Sequence, residues 1–245
     1  MSLRTHRALQ ALLLAALGMF LLQKVWSGTL FWYINQRFLF LSLFAALGFL
    51  ALAQGALAQL RRRPAEASPE HEHEGASAWS LVIVALPLLL GLLIPARPLG
   101  SSAIANKGLN TTAPLTAVDA SKPAQPSLAS TDRTVLDWVR AFNYESNPAV
   151  LDGQPADVTG FVYHDSRLQP GQFLVGRFAV SCCVADAAAI AMIVAWPDAA
   201  DLRDNVWVRV RGPVQAASLN GQPIPLISAE MIEQIAEPDQ PYLYP

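Results

Sequence analysis

Three apolar runs fill most of the first hundred residues, and no other feature restricts the chain so tightly. Residues 8–26 (ALQALLLAALGMFLLQKVW) are nineteen in number, and Lys24 is their single charge. As a helix they reach about 28 Å, close to the roughly 30 Å hydrocarbon core of a bilayer. Residues 38–60 carry no charge, with Gln54 and Gln59 in their last third, and are long enough to span with some tilt. Residues 79–95 form the third run, closed by Pro95 and carrying Pro87 inside, where a kink is predicted. No polar face interrupts Leu81 to Ile94, so a span fits better than a soluble core helix. Trp26, Trp32 and Tyr33 sit between or beside the first two runs, as interfacial aromatic residues do.

Arg4 and Arg7 ahead of the first run also suit a cleaved signal peptide. Lys24-Val25-Trp26 is not a small-x-small cleavage site, so a retained span is predicted. With three spans, Arg4, Arg7 and the cluster Arg61-Arg62-Arg63 share one side, against Lys24, Arg37, Arg97 and Lys107 on the other. Basic residues collect on the cytoplasmic side, which predicts an internal N-terminus and an extracytoplasmic C-terminal part. The expected location is a cell membrane, in contact with the lipid bilayer.

Charge divides the chain as hydropathy does. Residues 1–132 hold 10 Lys+Arg and 6 Asp+Glu; residues 133–245 hold 7 Arg and 13 Asp+Glu, a net of −6. An acidic soluble part argues against nucleic acid, whose phosphates need clustered Lys and Arg. Residues 99–132, rich in Ser, Thr, Ala and Pro, read as a flexible linker. Val135, Trp138, Val139 and Phe142 then fall at helical spacing. Five strand-like runs follow, at 157–165, 172–183, 189–196, 205–215 and 223–235. Gly160 and Gly212 inside two of them suggest the bends that a small barrel needs to close. The predicted class is membrane α plus all-β. It comprises a membrane domain (1–98) with three transmembrane helices, a linker, and a small OB-like β-barrel with a short leading helix at 133–245. A sandwich is the alternative.

The two cysteines of the chain, Cys182 and Cys183, are adjacent at the end of the second run. Thiolates bind zinc or another soft divalent metal, and Asp186 or His164 would add ligands. On a strand the two side chains point to opposite faces, which opposes a shared ion unless a bulge intervenes. A strained vicinal disulfide and a pair of inert thiols are the other readings. His71 and His73, among glutamates in the second loop, are a further candidate pair for a metal. Arg177 and Asp186 are a candidate ion pair beside the cysteines. No phosphate-binding loop, nucleophile elbow or HExxH pattern is present, so no catalytic residue is assigned and a non-enzyme is expected.

Gly160-Phe161-Val162-Tyr163, Arg177-Phe178, Cys182-Cys183 with Ala185-Asp186, Val208–Gly212 and Pro241-Tyr242-Leu243 together resemble the YcgQ-like family of bacterial membrane proteins. The Arg-Phe to Cys-Cys-x-Ala-Asp stretch is the specific part of the match. The resemblance implies an accessory, non-catalytic role beside a multi-pass membrane permease subunit. A membrane-anchored thiol-redox or metal-binding protein, using Cys182 and Cys183, is the alternative from a different class.

Overall fold

The computed structural model describes residues 3–61, 78–109 and 129–244. Helix α1 (Leu3–Trp26) is built from Leu and Ala and ends where Gly28 takes φ 72°, a left-handed stop that costs glycine little. Asn35 is buried, and its side chain accepts from the Arg37 amide at 3.0 Å, leading the chain into α2 (Leu39–Arg61). Both helices are long and apolar enough to cross a membrane. Helix α3 (Ala78–Leu93) is apolar too and holds Pro87 inside, but its 16 residues rise only about 24 Å.

Small residues join α1 to α2. Ala11, Ala46 and Ala53 are buried, and a Cβ on Gly18 would stand 2.9 Å from Leu50 Cγ and 3.0 Å from the Ala46 carbonyl oxygen. Close backbone approach through small side chains is the packing that helices use where lipid supplies no hydrophobic drive. Leu12, Phe40, Leu41, Phe44, Leu47 and Leu52 point outward and stay exposed. Such a surface is unfavourable against water and suits lipid or another apolar helix. These elements form one compact unit, Met1–Arg97; Pro98–Pro245 forms a second.

In the second unit, helix α4 (Ser101–Lys107) precedes α5 (Val135–Tyr144). Thr134 and Asp137 close a reciprocal capping box at the start of α5. Residues 99–109 therefore correct the linker reading, since they are part of the folded unit. Ile104 is buried, the Leu99 amide donates to Tyr242 Oη at 2.7 Å, and Leu109 bridges Ala189. The Ser- and Ala-rich composition hid three well-spaced apolar anchors, Leu99, Ile104 and Leu109. Of the rest of the expected linker, 110–128 lies outside the described residues, as do His71 and His73, and Ser130–Asp132 form a 3-10 turn.

Seven strands follow: β1 (Pro155–Tyr163), β2 (Gln172–Ala179), β3 (Ala188–Ala195), β4 (Trp207–Leu219), β5 (Gln222–Ser228), β6 (Met231–Ile235) and β7 (Tyr242–Leu243). Pairing runs β1-β2-β3-β5-β4, and β4 also pairs β1. The sheet is mixed, because β3 and β5 run parallel and β7 joins β2 in parallel. β6 lies along β4, so the fifth predicted run is two strands, divided where Glu230 N donates to the Arg211 carbonyl. β3 reads AAIAMIVA and is buried along nearly its whole length, as a strand covered on both faces requires. Val135, Trp138 and Phe142 of α5 share the main core with Phe173, Met192 and Val208 of the sheet. Gly160 and Gly212 each sit where a Cβ would strike a neighbouring backbone oxygen, of Gly176 (2.6 Å) and of Ser228 respectively. Both are close approaches that exclude a side chain.

Candidate functional site

The second strand was expected to run on to Cys183, but β2 stops at Ala179. The Asp186 carboxylate accepts from the amides of Ser181 (3.1 Å) and Cys182 (2.7 Å), a local bond that competes with the strand ladder. A 3-10 turn, Val184–Asp186, then returns the chain to β3. Lys107, at the end of α4, holds this turn from outside: its Nζ donates to the carbonyls of Val184 (2.9 Å), Ala185 (3.2 Å) and Ala187 (3.3 Å).

Held this way, the two cysteines do not splay to opposite faces. Their sulfurs lie 3.7 Å apart, both thiols are free, Cys182 is exposed and Cys183 is half-buried. The Asp186 carboxylate, and then Cys183, push the Cys182 thiol up to about 11. Partial burial would raise the Asp186 carboxyl, but hydrogen bonds from the Cys182 thiol and from the amides of Cys182, Ser181 and Cys183 outweigh it and hold it low. The thiol therefore rests protonated against a carboxylate at neutral pH.

Arg177 does not pair with Asp186. It reaches the C-terminal tail, donating from Nε to the Pro241 carbonyl (3.0 Å) and from Nη2 to the Gln240 carbonyl (2.7 Å), with its plane 5.2 Å from the Trp207 ring centre. Burial lowers this guanidinium to about 10, the nearby Tyr244 acting the other way. Phe178 is fully buried and stacks on Phe161, whose edge meets Trp207. Tyr163 ends β1 opposite Leu174 and is partly buried. Arg209 and Arg211 both fold onto Asp157, whose carboxyl is held low chiefly by the Arg209 hydrogen bond.

His164 is removed from the cysteines. It follows β1 at the hairpin end of β2, whereas the thiols lie beyond the opposite end. Its Nδ1 stands 2.7 Å from Asp204 and its Nε2 3.0 Å from the Ala199 carbonyl. Among the described residues, no three His, Cys, Asp or Glu side chains converge as a ready-made metal cage. Cys182, Cys183 and Asp186 are brought together; Arg177 and Phe178 lie in β2 ahead of them, whereas Gly160 lies within β1 and Tyr163 at its far end, opposite Leu174. Lys107 was missed because a lone lysine in a Ser- and Ala-rich stretch carries no motif. Its one signal is the helix stop that follows it, Gly108 at φ 79°.

A unit of apolar helices carrying a mixed-sheet domain with an adjacent-thiol turn is the class that this geometry defines. The chain belongs to the DUF1980 family: the model of the DUF1980 C-terminal domain matches residues 110–245 and that of the N-terminal domain residues 9–110. It is similar to the UPF0703 protein YcgQ of Bacillus subtilis (strain 168), with 26% identity over 269 residues covering 89% of this chain and 92% of the relative. This bears out the YcgQ-like resemblance. It is also similar to a Streptococcus mutans protein named "Putative two-component membrane permease complex subunit", at 27% identity over 259 residues, covering 89% and 92%. No solved structure matches.

Proposed function

We propose that this protein is an accessory, non-catalytic subunit of a membrane permease complex in a bacterial cell membrane. The observation that carries this reading is the nearly full-length similarity to the Streptococcus mutans relative and the words of that relative's name. The outward apolar faces of α1, α2 and α3 support it, since they need lipid or a partner's helices as cover. In this reading α3, which runs through Pro87 and is followed by Pro95, is a third span. The ring of pairings β1-β2-β3-β5-β4-β1 supports the reading of this unit as an OB-like barrel, which the same reading puts outside the cytoplasm. The barrel's part is to gate, capture or hand over the transported substrate.

Purification of the tagged full chain from its own membranes in mild detergent is expected to bring down a multi-pass membrane protein in fixed ratio. Recovery of the chain alone, from gentle detergents that preserve other complexes, would sink the subunit reading. Orientation has its own test. A reporter fused after Pro245 that works only outside the cytoplasm is expected to be active, because Arg61–Arg63 favour the inside. Activity only from a cytoplasm-dependent reporter would reverse the topology.

A further inference from the structure

The turn after β2 holds two sulfurs at a separation that suits one particular task. We propose that Cys182 and Cys183 chelate a single thiophilic divalent cation, zinc being the representative, as one edge of a tetrahedral site. The inference goes beyond the permease reading and does not depend on it.

Distance is the first argument. Two zinc–sulfur bonds of about 2.3 Å at a tetrahedral angle place their sulfurs about 3.8 Å apart. The thiols stand 3.7 Å apart without any rearrangement. A disulfide is a poorer fit. Neighbouring Cα atoms are about 3.8 Å apart, below the usual disulfide range of about 4.4–6.8 Å, and the sulfurs would have to close to about 2.05 Å.

Preorganisation is the second. Asp186 accepts from two amides and Lys107 donates to three carbonyls of this turn, so the sulfurs are carried on a fixed backbone. Cys182 is exposed, which gives an ion entry and leaves the other corners of the tetrahedron to water or an added donor.

Charge is the third. The Asp186 carboxylate beside the thiols adds attraction for a cation. The binding step balances without electron transfer. Each S–H gives its proton to solvent, two S–metal bonds form, and the doubly charged ion is neutralised by two thiolates.

The test uses the full chain in detergent, reduced, with His71→Ala and His73→Ala present throughout so that the loop histidines cannot hold the ion. Cadmium(II) is expected to bind one per chain with a thiolate-to-metal charge-transfer band that zinc(II) removes by competition. Cys182→Ser and Cys183→Ser are each expected to abolish the band and weaken binding at least tenfold. Lys107→Ala is expected to keep the band and weaken binding severalfold. A second measurement needs no cysteine variant: saturating zinc(II) is expected to slow alkylation of both thiols at least tenfold. Absence of the band, a band that survives in either serine variant, or alkylation indifferent to zinc would overturn the proposal. So would native chain that shows no free thiol until a reductant is added, since that makes the disulfide the resting form.

Discussion

Trp138→Ala is expected to destabilise the C-terminal unit by about 3–5 kcal/mol, the range for deleting a large buried aromatic side chain. Trp138 is fully buried on α5, between Val135 and Phe142, at the centre of the main core. Small domains hold only about 5–15 kcal/mol of net stability, so a large part of the folded margin goes with this one side chain. Trp138→Phe is expected to be much milder. The indole N–H is buried and finds no acceptor among the described residues, so phenylalanine sacrifices volume without breaking a hydrogen bond. The guanidinium of Arg133 over the indole, 4.9 Å from its centre, retains an aromatic face in the phenylalanine variant. Thermal unfolding of the full chain in detergent, followed by near-ultraviolet dichroism, checks both. An alanine variant that unfolds with the wild type would mean that α5 is not part of the core.

Trp138 was legible in the sequence because helical spacing with Val135, Val139 and Phe142 is a strong local signal. The long apolar helices were legible for a different reason, the length of unbroken apolar runs, and α2 (Leu39–Arg61) lies within a residue of the expected 38–60. Other features depend on contacts that no local pattern encodes. β2 ends at Ala179 because a carboxylate seven residues later takes the amides that would have continued the ladder. The run Phe178-Ala179-Val180-Ser181-Cys182 contains neither Gly nor Pro to mark a break, so the expected strand overran the turn. Lys107 reaches across 77 to 80 residues to its three carbonyls, and no spacing rule links them. The pairing of β3 with β5 is likewise parallel and non-local, invisible to a reading that sees strands one at a time. Cys182 and Cys183 were legible as a candidate site, but the turn that sets their sulfurs side by side is held by the local Asp186 bonds together with the long-range bonds from Lys107.

Arg177→Ala is expected to free the C-terminal tail from β2. The guanidinium supplies two charge-assisted hydrogen bonds, to the carbonyls of Gln240 and Pro241, each worth about 1.5–3 kcal/mol before the cost of burying the charge is subtracted. Immediately beyond, Tyr242 and Leu243 pair with Phe178 and Ala179, and Val180 N donates to the Leu243 carbonyl at 2.9 Å. Two residue pairs are too few to hold a strand alone, so the arginine clamps the tail together with the buried Tyr242 side chain. Arg177→Lys is expected to recover only part of the effect, because one ammonium cannot copy a planar fork that bonds two carbonyls while covering the Trp207 ring. Arg177→Met, which keeps length and loses the donors, separates packing from hydrogen bonding. Hydrogen exchange at the Val180 amide reports the release directly, and a rate unchanged in Arg177→Ala would remove the clamp. The effect should travel further. Tyr242 Oη receives the Leu99 amide, Leu99 leads into α4, and α4 carries the Lys107 that grips the carbonyls of the cysteine turn. Loosening the tail is therefore expected to speed alkylation of the half-buried Cys183 as well. Faster exchange at Val180 with no change at Cys183 would show that the tail and the thiol turn are held independently.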